Sequence, residues 1–343
     1  MTADKKPVEE FIKLADQFPL VDVRSPAEYK KGHIPGAINI PLFDDVERAE
    51  IGKLYKIKGK EDAVERGLQL VAPKLAEFVQ KTKTLSAEKK VLVYCWRGGM
   101  RSQSFSWLMN TAGLDSKILQ GGYKSYRNFV LSFFSRPVNL VRLGGATGSG
   151  KTQLLQRLQQ AGEQIIDLEK LARHKGSAFG SINEPRQLPQ QQFEHLFFNT
   201  LSLVDPRRRC WVEDEAMAIG WNKIPLPFWQ QMKRAPLVVI NVPPESRIKR
   251  LVNDYSTTNP ELLKKALVNI TKKIGGQNLI AALDFLQRGQ LDKVAEIALR
   301  YYDEAYHHDI LKNKHQKITE LNFGDEIFPS DLEKIIQAAK SLE

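Results

Sequence analysis

The sequence predicts an α/β protein that contains two parallel-sheet domains and a mainly helical region after them. Short apolar strands alternate with helical stretches in both halves of the chain, which is the pattern of a parallel sheet. A glycine-rich loop follows a buried strand in each half. At 343 residues the chain exceeds the length at which a single core stops growing. We expect domains at 1–136 and 137–255, with a mainly helical region at 256–343 packed on the second domain.

Composition favours a protein of a reducing compartment with a polyanionic partner. Lys and Arg total 51 against 40 Asp and Glu, a net charge of +11, and the excess is spread along both halves. Such a charge favours nucleic acid as a partner. Two cysteines, Cys95 and Cys210, cannot build a disulfide framework or a zinc cluster. With no apolar leader and no run of about 18 apolar residues, we expect a soluble cytoplasmic protein without membrane contact.

The first half contains strands at Phe18–Arg24 and Lys89–Cys95 and a third in "SKILQGGY". Between the last two, "SFSWLMNTAG" predicts a helix that ends at Gly113. A long charged insertion, Phe43–Lys90, predicts an amphipathic packing helix interrupted near Gly67 and Pro73. Ligands of parallel sheets gather at the carboxyl ends of strands, and Cys95 stands at such an end.

The loop "YCWRGGMRSQS" has the composition of an anion-binding nest around a reactive thiol. A thiolate is stabilised by backbone N–H groups and by a helix N-terminus. Gly98 and Gly99 allow the backbone to curl so that amides converge, and Arg101 adds a permanent positive charge. The loop therefore predicts that Cys95 is a nucleophile.

The second half opens after Pro137 with a strand at Val138–Leu143. The sequence "GATGSGKT" then satisfies G-x-x-x-x-G-K-[ST] before a helix, the context that a P-loop requires. Loop amides cradle phosphate, Lys151 reaches the terminal phosphates and Thr152 can hold magnesium. The predicted phosphate-binding residues are Gly145, Gly148, Ser149, Gly150, Lys151 and Thr152.

Charged clusters follow the phosphate loop. In "RRRCWVEDEAMAIG", Glu213 and Glu215 lie at a strand end, where an acidic residue binds magnesium through water or faces solvent. The basic clusters "RRR" at 207–209 and "RIKR" at 247–250 would contact phosphates or face solvent, and solvent is the favoured interpretation. A late strand is expected at "KITELNF".

Two segments of the first half resemble rhodanese domains. "PLVDVRSPAEYKKGHIPGAINIPL" is similar to their amino-terminal signature, and "CWRGGMRS" is similar to their active loop. Common rhodaneses have four residues between the cysteine and the loop arginine, whereas this chain has five between Cys95 and Arg101, as related phosphatase loops do. A wider loop admits a tetrahedral oxyanion. The spacing indicates a phosphatase, or a chalcogen transferase whose donor carries phosphate.

A rhodanese-like domain joined to a P-loop NTPase-like domain that contains "IIDLEKLARHKGSAFG", "WVEDEAMAIG" and "YYDEAY" resembles the tRNA 2-selenouridine synthase family over nearly the whole chain. The resemblance implies an enzyme that binds tRNA and acts on 2-thiouridine at the wobble position. It implies that sulfur is first prenylated by geranyl diphosphate and then replaced by selenium from selenophosphate. A selenophosphate-supplying enzyme would be a further partner.

The same resemblance implies roles for particular residues. Cys95 would accept selenium and carry it as a selenenyl group, Arg101 and the loop amides would hold the phosphate, and Arg97 would help to bind either anion. The candidate contacts to substrate or magnesium are Asp167, Glu169, His174, Ser177, Glu213 and Glu215.

Several alternatives stay open at the level of sequence. The P-loop suits ATP as well as geranyl diphosphate. A phosphatase could use the Cys95 loop alone, and a small-molecule kinase could use the P-loop with the rhodanese-like domain as a regulatory module. If the rhodanese-like domain only binds a ligand and regulates the P-loop domain, Cys95→Ser would leave the activity of the protein intact.

Overall fold

The computed structural model describes residues 4–312, 317–325 and 328–342. The chain forms two compact units. The first runs to Phe134 and also includes Pro189–Phe198, a segment from within the predicted second domain. The second unit comprises Ser135–Leu188 and the chain from Asn199 onward.

The first unit is built on a five-stranded parallel sheet in the order β1-β5-β4-β2-β3. The strands are β1 (Asp4–Lys6), β2 (Leu20–Asp22), β3 (Ile38–Asn39), β4 (Lys90–Tyr94) and β5 (Asp115–Leu119). The strands predicted from the sequence around β2, β4 and β5 are confirmed. Apolar side chains on β2 and β4, such as Val21 and Val93, are fully buried, which explains the short continuous apolar runs of the sequence.

Helices cover the faces of this sheet. They are α1 (Val8–Ala15), α2 (Pro26–Lys31), α3 (Asp45–Ile57), α4 (Lys60–Val71), the 3₁₀ turn η1 (Ala72–Lys74), α5 (Leu75–Leu85), α6 (Met100–Thr111) and α7 (Gly122–Phe133). A capping box begins α2: the Ser25 hydroxyl accepts from the Glu28 backbone N–H, and the Glu28 carboxylate accepts from the Ser25 N–H. This cap orients Glu28 at the start of the helix.

The insertion before β4 corrects one expectation. The sequence predicted a helix break near Gly67, but α4 continues through it and the break falls at Pro73 in η1. Gly67 is buried, and a Cβ there would stand 3.4 Å from the Phe43 ring. The glycine therefore allows close packing of α4, and tertiary contact outweighs its weak helix propensity.

The second unit also has a five-stranded parallel sheet, in the order β12-β11-β6-β8-β7. Its strands are β6 (Leu140–Gly145), β7 (Gln164–Ile166), β8 (Cys210–Glu213), β11 (Leu237–Asn241) and β12 (Ile318–Asn322), and β9 (Ala218–Ile219) pairs with β10 (Asn222–Lys223) as a short antiparallel ladder. The predicted late strand is confirmed as β12, which pairs with β11.

The helices of the second half begin with α8 directly after the glycine-rich loop. They are α8 (Lys151–Gln160), α9 (Leu168–Ala172), α10 (Gln190–Ser202), α11 (Leu226–Arg234), α12 (Pro244–Tyr255), α13 (Pro260–Asn269), α14 (Thr271–Ile274), α15 (Gly276–Gln287), α16 (Leu291–Lys312) and α17 (Pro329–Lys340). Helices α13 to α16 share an apolar cluster around Leu267, Ala282 and Ala298. Within residues 4–312, 317–325 and 328–342, no helix is long and apolar enough to cross a membrane.

Candidate active site

Cys95 lies directly after β4, at the carboxyl end of the central strand of the first sheet. Its thiol is nearly fully buried, and the Sγ atom is 3.2 Å from the hydroxyl oxygen of Ser102 on α6. The Ser102 hydroxyl also lies 3.1 Å from the Gly99 carbonyl. Ser102 can therefore accept a hydrogen bond from the thiol, or turn and donate to a thiolate. The sequence analysis did not single out Ser102.

Two carbonyls of the loop are engaged by α7. The carbonyls of Cys95 and Trp96 accept hydrogen bonds from the first turn of α7, from Tyr123 N (2.8 Å) and Lys124 N (3.0 Å). Among the described residues, the N–H groups of Arg97, Gly98 and Gly99 make no backbone hydrogen bond. Backbone N–H groups that are left free in this way are available to an anion, and the anion-binding nest around Cys95 stays a prediction.

Glycine is required where this loop meets α7. Gly98 has φ +63°, and a Cβ on Gly122 would stand 2.4 Å from the Gly98 nitrogen. A side chain at Gly98 would strain the left-handed backbone, and a side chain at Gly122 would clash with the loop. Either substitution would therefore displace the loop backbone. The "GGY" segment thus fixes the shape of the nest.

Arg101 is held in place by Glu28, which sequence analysis missed. Arg101 Nη1 is 2.7 Å from Glu28 Oε2 and Nη2 is 3.4 Å from Oε1. Burial favours the neutral acid, but the hydrogen bond and the charge of Arg101 outweigh it, so the pKa of Glu28 is lowered. Glu28 therefore stays ionised and orients the guanidinium beside the loop.

Arg97 has a different environment. Its side chain is exposed, and together with Arg48 and Arg101 it lines a cavity of about 700 Å³ beside the loop. The remaining wall of this cavity is largely apolar and comes from α3 and α4, with side chains such as Ile51 and Val64. The charged insertion thus supplies an apolar surface next to the nest.

The glycine-rich loop of the second unit connects β6 to α8, as predicted for a P-loop. Gly148 and Gly150 have left-handed backbone, at φ +80° and +86°, a conformation that favours glycine. The Lys151 ammonium donates to the Gly145 carbonyl across the loop at 2.8 Å. A phosphate entering the loop would take this ammonium as its partner.

Two arginines of the "RIKR" cluster contact the phosphate loop, which corrects the favoured expectation of a solvated cluster. Arg247 is buried, donates to the Thr147 carbonyl at 3.2 Å and pairs with Asp303. Arg250 donates to the Gly148 carbonyl. They lie three positions apart on α12, so one helix face directs both toward the loop.

Acidic side chains gather beside the loop because β6, β8 and β7 are neighbours and end at the same edge. Thr152 Oγ1 is 3.2 Å from Glu169 Oε2. Burial, and then the charge of Glu169, raise the pKa of Glu215 to about 8. Burial likewise raises the pKa of Glu169 and of Asp167, whose side chain caps α9 by accepting from Lys170 N.

Glu213 is more deeply buried than its neighbours. Its Oε2 accepts from the Leu168 N–H at 2.9 Å, and its Oε1 has no hydrogen-bond partner among the described residues. Burial, followed by the charges of Asp167 and Glu169, raises its pKa well above the ordinary range. Within the described ranges, no three acidic, histidine or cysteine side chains are arranged as a metal-binding group. The Thr152 hydroxyl and the carboxylates of Glu169 and Glu215 still fit magnesium, because a divalent cation would offset their buried charge.

A cavity of about 850 Å³ joins these groups. Of the predicted residues, the phosphate-loop glycines and Ser149, Lys151 and Thr152 line it together with Asp167, Glu169, Ser177 and Glu215. His174 and Glu213 are not in its lining. Burial lowers the pKa of His174, which favours the neutral imidazole.

Part of the lining of this cavity is apolar. One face of α16 contributes side chains three or four positions apart, Leu291, Val294, Ala295 and Ala298, and α13 adds Leu263. The lining thus combines the phosphate loop with apolar side chains.

Family comparisons match both units. Residues 7–129 match the model described as a rhodanese-like domain, and residues 138–328 match the model described as a tRNA 2-selenouridine synthase AAA domain. The second model alone covers more than half of the chain.

Similar proteins carry the same description. A tRNA 2-selenouridine synthase of Shewanella denitrificans is 33% identical, over 93% of this chain and 95% of that protein. One of Bordetella petrii is 33% identical, over 93% and 91%. A solved structure has a different description: the N-terminal domain of a putative ATP/GTP binding protein from Clostridium difficile 630 is 41% identical and covers 38% of this chain and 99% of that chain, with a TM-score of 0.35.

Proposed function

The chain belongs to the tRNA 2-selenouridine synthase family, and from that premise we propose that it converts wobble 2-thiouridine of tRNA into 2-selenouridine with selenophosphate. The reaction has two halves, one at each site. The glycine-rich loop of the second unit serves prenylation of the sulfur, and the Cys95 loop serves its replacement by selenium. We place the reaction in the cytoplasm, with a selenophosphate-forming enzyme as the source of the donor.

The cavity at the phosphate loop carries the assignment of prenylation. Geranyl diphosphate has a diphosphate and a ten-carbon apolar chain, and the lining of this cavity contains both the phosphate loop and the apolar α16 face. An ATP molecule would instead present a polar base and ribose to Val294 and Ala298. The apolar wall therefore favours a prenyl diphosphate over a nucleotide.

The prenylation step is chemically complete without ATP, because every bond formed is matched by a bond broken. The thiouridine sulfur forms a bond to C1 of geranyl diphosphate, the C1–O bond breaks, diphosphate leaves and N3 of the base loses its proton. Lys151 and the loop amides stabilise charge on the leaving diphosphate. Magnesium, held by Thr152 with Glu169 and Glu215, would supply further positive charge for the same group.

Prenylation turns the sulfur into a leaving group for the second half. Selenium of selenophosphate attacks C2 of the base, the C–S bond breaks and geranylthiolate leaves. The free amides of the Cys95 loop and Arg101 bind the phosphate part of the donor. The apolar cavity beside Arg97 and Arg101 accommodates the geranyl group during this step.

Two variants test the division between the sites. Each is incubated with thiouridine tRNA, geranyl diphosphate and selenophosphate, and the nucleosides are then resolved by mass spectrometry. Cys95→Ser should abolish selenation and retain prenylation, because a serine hydroxyl is not ionised at neutral pH. Lys151→Ala should lose prenylation, and selenation should return when pre-formed geranylated tRNA is supplied.

The outcomes discriminate between the alternatives. Normal prenylation by Lys151→Ala would show that the diphosphate assignment is wrong and would leave an ATP or structural role for the loop. Full selenation by Cys95→Ser would reduce the first unit to a binding module. If the wild-type protein forms no 2-selenouridine from geranylated tRNA and selenophosphate, the main function is wrong.

A further inference from the structure

We propose that Cys95 accepts a phosphoryl group, rather than selenium, during the selenation half of the reaction. The inference rests on the proposed function, because it takes selenophosphate as the donor. It follows from the oxidation state of selenium together with the geometry of the loop between Cys95 and Arg101.

A selenenyl group on Cys95 does not balance with this donor. Selenium in selenophosphate is at the selenide level, bonded to phosphorus(V), and the selenocarbonyl of the product is also at the selenide level. Forming an S–Se bond at Cys95 would remove two electrons from selenium and sulfur. Either an external oxidant must take them, or phosphorus must leave as phosphite. The reaction supplies no oxidant, so a route without oxidation is required.

Phosphoryl transfer provides such a route. Once selenium has displaced geranylthiolate, C2 carries an Se–PO₃ group. The Cys95 thiolate attacks phosphorus, an S–P bond forms, and the Se–P bond breaks with its electron pair remaining on selenium. This step releases the anion of 2-selenouridine. Water then attacks the phosphocysteine, the S–P bond breaks, phosphate leaves and the thiolate is restored.

The loop geometry fits the phosphoryl group. Five residues separate Cys95 from Arg101, and the N–H groups of Arg97, Gly98 and Gly99 make no backbone hydrogen bond among the described residues. Three equatorial oxygens of a transferring phosphoryl group need several donors at once. The free amides and the guanidinium fixed by Glu28 supply them.

Ser102 adds a contact to the sulfur itself. Its hydroxyl is 3.2 Å from the Cys95 Sγ atom and buried. When phosphocysteine is hydrolysed, sulfur is the leaving group and gains negative charge. A hydroxyl that donates to it stabilises that charge, which predicts that Ser102 promotes the last step.

The carboxyl group that contacts the loop arginine is ionised and therefore has no proton to donate. Glu28 pairs with Arg101, and its pKa is lowered by that partner against the effect of burial. An alkyl phosphate would need an acid to protonate its leaving oxygen. The selenium of 2-selenouracil is a weakly basic leaving group and does not. The site therefore suits a seleno-phosphoryl substrate better than ordinary phosphate esters.

The experiment follows both labels through a single turnover. Wild-type protein, geranylated tRNA and selenophosphate labelled with ³²P or ⁷⁵Se are mixed, quenched in neutral denaturant and mapped by peptide. We expect ³²P, and no ⁷⁵Se, on the peptide that contains Cys95. Ser102→Ala should raise the ³²P-labelled fraction about tenfold, because a hydrogen bond to a charged group is lost. Cys210→Ala, at a buried cysteine of the second unit, should label as wild type does.

Three results separate the inference from its premise. Covalent ⁷⁵Se on Cys95 would overturn the phosphoryl assignment and restore the selenenyl one. Formation of 2-selenouridine with no ³²P on Cys95, in wild type and in Ser102→Ala alike, would also overturn it. If wild-type protein makes no 2-selenouridine at all, the proposed function itself fails, and this inference with it.

Discussion

Arg101 Nη1 and Glu28 Oε2 lie 2.7 Å apart, although 73 positions separate the two residues. The loop sequence from Tyr94 to Ser104 contains two arginines, and this pair fixes the position of the second of them. We predict that Glu28→Ala lowers the selenation rate by about 10- to 100-fold, because a displacement of about 1 Å at a reacting group has effects of that size. Glu28→Gln should recover part of the rate, and prenylation should not change.

The matched control for Glu28 is Glu47→Ala. Glu47 also closes a capping box, on α3, and pairs with a lysine, Lys74. Both alanine variants lose a cap and an ion pair, so both should lose about 1 kcal/mol of stability. Equal losses of selenation in the two variants would show that Glu28 acts through stability alone.

Ala295 on α16 should determine the length of the prenyl chain that is accepted. Ala295→Leu fills space beside the apolar α16 face of the cavity. Exclusion of two methylene groups costs about 1.6 kcal/mol, or about fifteenfold. We expect the ratio of geranyl to dimethylallyl transfer to fall by that factor in competition assays. Ala281→Leu, on α15 and outside the cavity lining, is the control. An unchanged ratio in Ala295→Leu would contradict the placement of the chain.

Glu215 should make stability depend on pH in the absence of magnesium. Burial and the charge of Glu169 raise its pKa from 4.5 to about 8, so the folded state binds this proton more tightly than the unfolded state. Its contribution is complete below pH 4.5 and is lost as pH rises through 8. Thermal unfolding from pH 5 to 9 should show Glu215→Gln gaining stability relative to wild type as pH increases. Magnesium should reduce that gain.

The control for this titration is Asn269→Gln, at an exposed position of α13, because this exchange neither adds nor removes an ionisable group. Its difference from wild type should stay constant over the same pH range. A constant difference for Glu215→Gln as well would show that Glu215 does not titrate between pH 5 and 9.

Binding of tRNA should weaken steeply with salt, because the net charge of +11 is spread over both halves and each phosphate contact releases counterions. Each contact adds about 0.7 to 0.9 to the slope of log K against log salt. Filter binding at several salt concentrations measures this slope. A flat dependence, or no binding at low salt, would contradict phosphate contacts as the main source of affinity.

The sequence predicted those elements that are specified by residues close together in the chain. The strands at β2, β4 and β5 and the loop containing Lys151 follow from apolar runs and glycine spacing, and the structure has them. Glu28 could not be found in this way, since "PAEYKK" describes an exposed helix turn and its partner is distant in sequence. Arg247 and Arg250 were missed for a related reason. Three basic residues among four resemble a solvated surface until the helix face that contacts the loop is known.

The segment Pro189–Phe198, which the first unit takes from the middle of the chain, limits how this protein can be divided. Gln192 accepts from the His33 N–H at 2.9 Å, and Gln191 accepts from the Tyr123 hydroxyl at 2.9 Å. The rhodanese-like unit is therefore discontinuous, and a fragment cut after residue 136 is an incomplete domain. Residues 135–188, which belong to the second unit, must be synthesised before the first unit can acquire all of its native contacts. A chimaera that replaces the rhodanese-like unit must therefore replace Pro189–Phe198 as well as the residues up to Phe134.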